Sequence, residues 1–139
     1  MKTRFASFVV GISWLLAAVP VSAHHSFNAE YDASKPIKLT GTVTKVEWKN
    51  PHAYFYIDVA DETGKVTNWG CEMGGSSALL RSGWGPNTMK IGDALTVEGS
   101  GSKDGSNIAH ATVVVLQRTG QRLFAGSNQD TQPGQENRP

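Results

Sequence analysis

The sequence predicts an all-β domain: a small, OB-fold-like, five-stranded Greek-key barrel with one short helix between strands three and four. Three observations lead there. Five segments of alternating apolar residues are separated by turns rich in Gly, Pro, Asn and Asp. A short helical period interrupts them once, after the third segment. The first segment contains a glycine and a one-residue slip of phase, as expected of a strand that bends around a barrel. An SH3-like barrel or a sandwich is the rival, and the position of the helix favours the OB order.

The chain opens with Lys2 and Arg4, an apolar run over residues 8–18, Pro20, and then Val21, Ser22 and Ala23. This is the pattern of an export signal cut after Ala23, so residues 1–23 are set aside from the domain. The apolar run is shorter than the ~20 residues of a bilayer span, and no later run is longer, so no membrane insertion is expected after cleavage. Residues 24–36 are polar without a period and read as an N-terminal arm. Residues 37–127 read as the barrel.

Within it, residues 37–48 form the first strand: Ile37, Leu39 and Val43 share a face with Gly41, and then Val46 and Trp48 fall on the shifted phase. A bulge near Thr44 absorbs such a slip. Asn50 and Pro51 make a turn. Residues 52–60 are the second strand, with Phe55, Ile57 and Val59 inward and His52, Tyr54, Tyr56 and Asp58 outward. Gly64 suits a turn, and residues 65–73 follow as the third strand with Trp69, Cys71 and Met73 in phase. Ser76 or Ser77 is the expected N-cap of a two-turn helix that stops at Gly83. Residues 94–102 are the fourth strand, and Asp104-Gly105 is a turn. Residues 108–117 are the fifth strand, apolar on both faces and therefore central. Residues 118–127 allow a short hairpin return. Residues 128–139 are Gln, Asn, Pro, Gly and charge, a composition that predicts a disordered tail.

Charge and cysteine content narrow the function. The formal charge of +1 falls by two, the charges of Lys2 and Arg4, to −1 once residues 1–23 are removed. That leaves no basic footprint for nucleic acid. The single cysteine, Cys71, cannot form an internal disulfide and reads as a small buried apolar residue. There is no nucleophile elbow, no phosphate-binding loop and no zinc-protease motif, and no arrangement that pairs two carboxylates. The expectation is a binding module without catalysis.

The histidines are the chemical candidates. A cut after Ala23 would make His24 the first residue. Its free amine, with an unperturbed pKa of ~7.7–8.0, would then lie beside its own imidazole. Amine, imidazole and a third nitrogen form a T-shaped set that suits Cu(II). Candidates for that third ligand are His25, His52 and His110. The plain alternative is a pair of solvated histidines at a loose start. No cofactor other than copper is indicated. The second candidate is a small-ligand or protein-partner surface on the strand two–three face, where His52, Tyr54 and Tyr56 share a side. Arg81 and Trp84 would stand at the barrel end. Solvent-side strand residues, a core role for the tryptophans and a surface cation–π contact between Arg81 and Trp84 are the corresponding plain readings. For His110 the plain reading is a partly buried, hydrogen-bonded strand residue.

The stretches "AHHSF", "YDASKPIKLTGTVTKVEWKNPHAYFYIDV", "VTNWGCEMG", "LLRSGWGPNTMKIGDALTVEG", "SKDGSNIAHA" and "RLFAGS" together resemble a family of small exported bacterial proteins, the domain of unknown function DUF6152. Among the matching positions are His24, His25, Asn50, Pro51, His52, Trp69, Arg81 and Trp84. The resemblance implies a small β-barrel in the periplasm and carries no activity, no assigned site, and no named ligand or periplasmic partner. Cys71 and His110 are not part of the recurring pattern.

Overall fold

The computed structural model describes residues 27–127. The proposed signal segment, His24, His25 and the tail at 128–139 lie outside them. In chain order the elements are α1 (Phe27–Glu30), β1 (Tyr31–Glu47), β2 (Tyr54–Ala60), β3 (Val66–Glu72), α2 (Ser76–Arg81), β4 (Ala94–Ser102), β5 (Ile108–Leu116) and β6 (Arg122–Phe124). The sheet runs β3-β2-β1-β4-β5-β6, and β3 also pairs with β5. The ladder is antiparallel throughout except between β3 and β5, where Gly70, Cys71 and Glu72 run parallel to Ile108, Ala109 and His110. The hydrogen-bonded circuit β1-β2-β3-β5-β4 thus returns to β1, and β6 is appended to the C-terminal half of β5.

The strand that makes this possible is β1. Its residues from Tyr31 to Thr42 pair with β4, and those from Thr42 to Glu47 pair with β2. The register shifts between Val43 and Lys45, so the bulge sits at Thr44, where the sequence slips phase. At Gly41 a Cβ would stand 2.5 Å from the Asp58 carbonyl oxygen, so only glycine lets β2 end this close to β1. A second shift lies between Glu98 and Gly99 in β4, where a Cβ on Gly99 would overlap the His110 carbonyl oxygen.

Inside the circuit the fully buried side chains include Val43, Phe55, Ile57, Cys71, Met73, Leu95, Val97, Val114 and Leu116. Val43, Phe55, Ile57, Cys71 and Met73 are on the inward phases read from the alternation. Burial pushes the Cys71 thiol up to about 12, as expected of an inert core residue. Leu79 of α2 and Trp84 join the same core. The turn glycines Gly64 and Gly105 and the helix stop Gly83 all have positive φ, at 83°, 78° and 91°.

Four expectations are corrected. The first strand begins at Tyr31, not at residue 37, so half of the expected arm belongs to the sheet. Its pattern is hidden because the register shifts between Tyr31 and Pro36, and Asp32 there accepts hydrogen bonds from Ser34 N (2.9 Å) and Oγ (2.6 Å). Trp48 is 38% exposed, because β1 ends one residue before it. The N-cap of α2 is Gly75, with no side-chain cap, and not Ser76 or Ser77. The expected count of five strands becomes six, because the short return allowed at residues 118–127 forms β6 and joins the sheet.

Candidate functional site

The Asn50–Pro51 peptide, which is cis, precedes His52. Beyond it, Ala53 donates to Gly74 O (3.2 Å) and accepts from Met73 N (2.8 Å), which pins His52 beside the end of β3. In the ladder Tyr54 stands directly opposite Glu72, and Glu72 stands opposite His110 on its other side. All three belong to the outward phase of their strands. They would face solvent but for α1 and the first residue of β1, which fold across them. Phe27 and Tyr31 stack at 5.7 Å between ring centroids and pack on the His110 ring at 5.0 and 5.4 Å. The segment is held down by Lys103, whose backbone N–H donates to Glu30 O at 2.9 Å and whose ammonium reaches Asn28 O.

The result is a buried carboxylate on the outside of the sheet. Glu72 is only 6% exposed. Its Oε2 accepts the hydroxyls of Tyr31 and Tyr54, both at 2.8 Å, and its Oε1 lies 2.6 Å from His52 Nδ1. Burial, followed by the bond to Glu72, pushes both phenols well above the usual tyrosine range, so they remain protonated donors. No lysine or arginine among the described residues forms a salt bridge with Glu72. Two phenol hydroxyls and one imidazole nitrogen therefore meet its two oxygens.

Glu72, Tyr31 and Glu30 form a wall between two depressions. One is a cleft of about 370 Å³ that also takes in Phe27, Asn50, His52, Ser76, Ser77, Arg81 and His110. The other, about 450 Å³, opens toward Tyr54, Ser102, Lys103 and Ile108.

The sequence-predicted residues separate accordingly. His52 and Arg81 line the first cleft, with His110 at its wall. The hydroxyl of Tyr54 is committed to Glu72. Tyr56 lies apart: its hydroxyl donates to Glu47 Oε2 at 3.1 Å, and Lys45 sits over its ring at 5.2 Å. Trp84 is 3% exposed and donates its indole N–H to Phe124 O at 2.7 Å, so it braces β6 and offers Arg81 no open ring face. His24 and His25 lie outside the described residues. Among the described residues no three His, Cys, Asp or Glu side chains group to hold a metal ion.

Glu72 and Tyr31 were not singled out from the sequence. The available signal was that Tyr54 and Glu72 both fall on outward phases of adjacent strands. The register that sets them opposite each other, and the segment that covers them, are not visible in either strand alone.

The sequence profile of a family described as DUF6152, a family of unknown function, matches residues 13–112. The chain belongs to this family. The match takes in His24, His25 and every residue of the Glu72 cluster, so the cluster lies wholly within the DUF6152 portion, whereas β6 lies beyond it. No curated protein matches the chain.

Proposed function

We propose that this DUF6152 protein is an exported, periplasmic binding module without catalysis of its own. In this reading it holds copper at the first cleft through the amine and imidazole of His24, freed by cleavage after Ala23, together with His25 or His52. The observation that carries the reading is the 2.6 Å contact between His52 Nδ1 and the buried Glu72 carboxyl group. A histidine that gives one ring nitrogen to a carboxylate keeps the other as a metal donor, and metal-bound histidines commonly make such a contact. The carboxylate also leaves a negative charge beneath the cleft that a bound cation would offset.

Covalent reach is compatible. Phe27 and His52 line the same cleft, and the three residues from His24 to Phe27 span no more than about 10 Å. The fold belongs to the proposal too: we read the circuit β1-β2-β3-β5-β4, with α2 between β3 and β4, as an OB-type barrel. A parallel β3–β5 closure and a first strand that pairs with β4 along one part and with β2 along the other, across a bulge, support that reading.

The second reading is a metal-free small-ligand or protein-partner site. What favours it is the cleft itself, whose volume falls in the range of small-molecule sites, and the guanidinium of Arg81, which lines it without a salt bridge among the described residues. Tyr56 and Trp84 drop out of this version, Arg81 remains with His52 in the first cleft, and Tyr54 lines the second depression.

Copper titration of the processed protein, followed by electron paramagnetic resonance, separates the two. A tight nitrogen-rich Cu(II) signal is expected, lost when one alanine is placed before His24 and depleted of a nitrogen in His52→Ala. Absence of tight binding by protein that begins at His24 overturns the copper reading. Arg81→Ala would then be tested for loss of small-anion binding by the metal-free protein.

A further inference from the structure

We infer that Glu72 is a positioning residue: it locks His52 in the tautomer that carries its proton on Nδ1, makes Nε2 the donor atom presented at the cleft, and biases that donor toward Cu(II) over Cu(I). The inference deepens the copper reading and rests on it only for the metal preference, since the tautomer exists without a metal.

Imidazole is a stronger base than a carboxylate, with reference values of ~6.5 against ~4.3, so the proton in the 2.6 Å contact sits on His52 Nδ1. In the neutral ring Nε2 then carries the lone pair. An imidazole on a mobile side chain would exchange its tautomers freely, but Glu72 is not mobile. Tyr31 reaches its Oε2 from across the sheet and Tyr54 from the neighbouring strand, both at 2.8 Å. The two phenols hold one oxygen and leave the other aimed at His52. Backbone bonds of Ala53 to both Gly74 and Met73 hold the residue next to His52 against the same strand end. Both partners of the contact are therefore fixed by groups other than each other.

The electrostatic consequence follows. No lysine or arginine among the described residues forms a salt bridge with Glu72, and its donors are two phenols and one imidazole. A metal on Nε2 would feel that charge through the ring, which makes the imidazole more basic as a ligand. The gain is larger for the doubly charged ion than for the singly charged one. Glu72 thus sets which copper state His52 prefers, whereas a residue that merely held the fold together would weaken both alike.

The test uses the processed full-length protein. Two-bond ¹H–¹⁵N spectra at mildly alkaline pH, without metal, should show His52 with a protonated Nδ1 and a bare Nε2. Protonation on Nε2 in the wild type overturns the inference, whatever any variant does. In Glu72→Gln the tautomers should mix and Cu(II) affinity should fall about 10–100-fold, the usual effect of removing such a partner. Cu(I) affinity, measured against a competing chelator, should fall less. Equal losses for both ions, or an unchanged tautomer, overturn the positioning role. The backbone amide spectrum of Glu72→Gln guards against misfolding, and where it departs from the wild type the wild-type tautomer alone decides the inference. If extending the chain before His24 and His52→Ala both leave copper binding intact, the copper reading fails, and the wild-type spectrum still decides the tautomer.

Discussion

Glu72 Oε2 accepts the hydroxyls of both Tyr31 and Tyr54, so removing either one strips a donor from a buried carboxyl group. Hydrogen bonds to charged groups contribute about 1.5–3 kcal/mol. Tyr31→Phe is expected at the upper end of that range and Tyr54→Phe at the lower, because Tyr31 is 4% exposed while Tyr54 is only half-buried. Urea unfolding of the two variants checks the order. At the surface, Asp104 closes the β4–β5 turn by accepting from Ser106 N and Ser102 Oγ, both at 2.8 Å. Bonds from Ser106 first, and then Ser102, bring its carboxyl down from 3.8 to about 2. A depressed folded value means that the native state favours the ionised form. Its contribution is present in full above pH 3.8 and is lost as pH falls toward about 2. Asp104→Asn should therefore flatten that part of the acid-unfolding curve and leave the neutral-pH slope unchanged, as read by circular dichroism.

Among the elements, α2 shows how local preference yields to its surroundings. Two serines at its start suggest a hydroxyl cap, yet the cap is Gly75. A Cβ there would stand 2.8 Å from the Pro51 carbonyl oxygen, closer than real contacts allow. The helix is held instead by Leu79, which is fully buried. Gly75→Ser, which improves capping propensity in an isolated helix, should destabilise the protein by about 1–3 kcal/mol, as overpacking does. It should also disturb the His52 resonances, because the displaced carbonyl belongs to the residue just before it. Denaturant titration with His52 spectra checks both effects, and a stabilised variant with unmoved resonances contradicts the steric account. The β1 bulge is the opposite case: the phase slip between Val43 and Val46 is local, and it was legible in the sequence before any pairing was known.

For the molecule as a whole, β5 is the hub. It pairs with β3, β4 and β6, and most of its side chains are buried. The Tyr31 end of β1 and α1 form a cover over Glu72 rather than part of the interior. Stability is distributed unevenly in such a structure. Hydrogen exchange should be slowest in β5 and in the centre of β1, and fastest in α1 and β6. Early exchange of β5 together with α1 would mean that the cover and the sheet open as one unit.

What could be read from the chain alone was whatever repeats over a few residues. Period-two alternation marked the strands, glycines with positive φ marked the turns at Gly64 and Gly105, and the phase slip marked the bulge at Thr44. The Glu72 cluster was not of that kind. Tyr31 and Glu72 are 41 positions apart, and His52, Tyr54 and Glu72 meet through a strand register that a shift of one residue would turn to the opposite face. Alternation says only that these polar side chains lie outside the sheet. That one of them is buried there, as a carboxyl group in contact with two phenols and an imidazole, was decided when a segment without any pattern of its own folded across it.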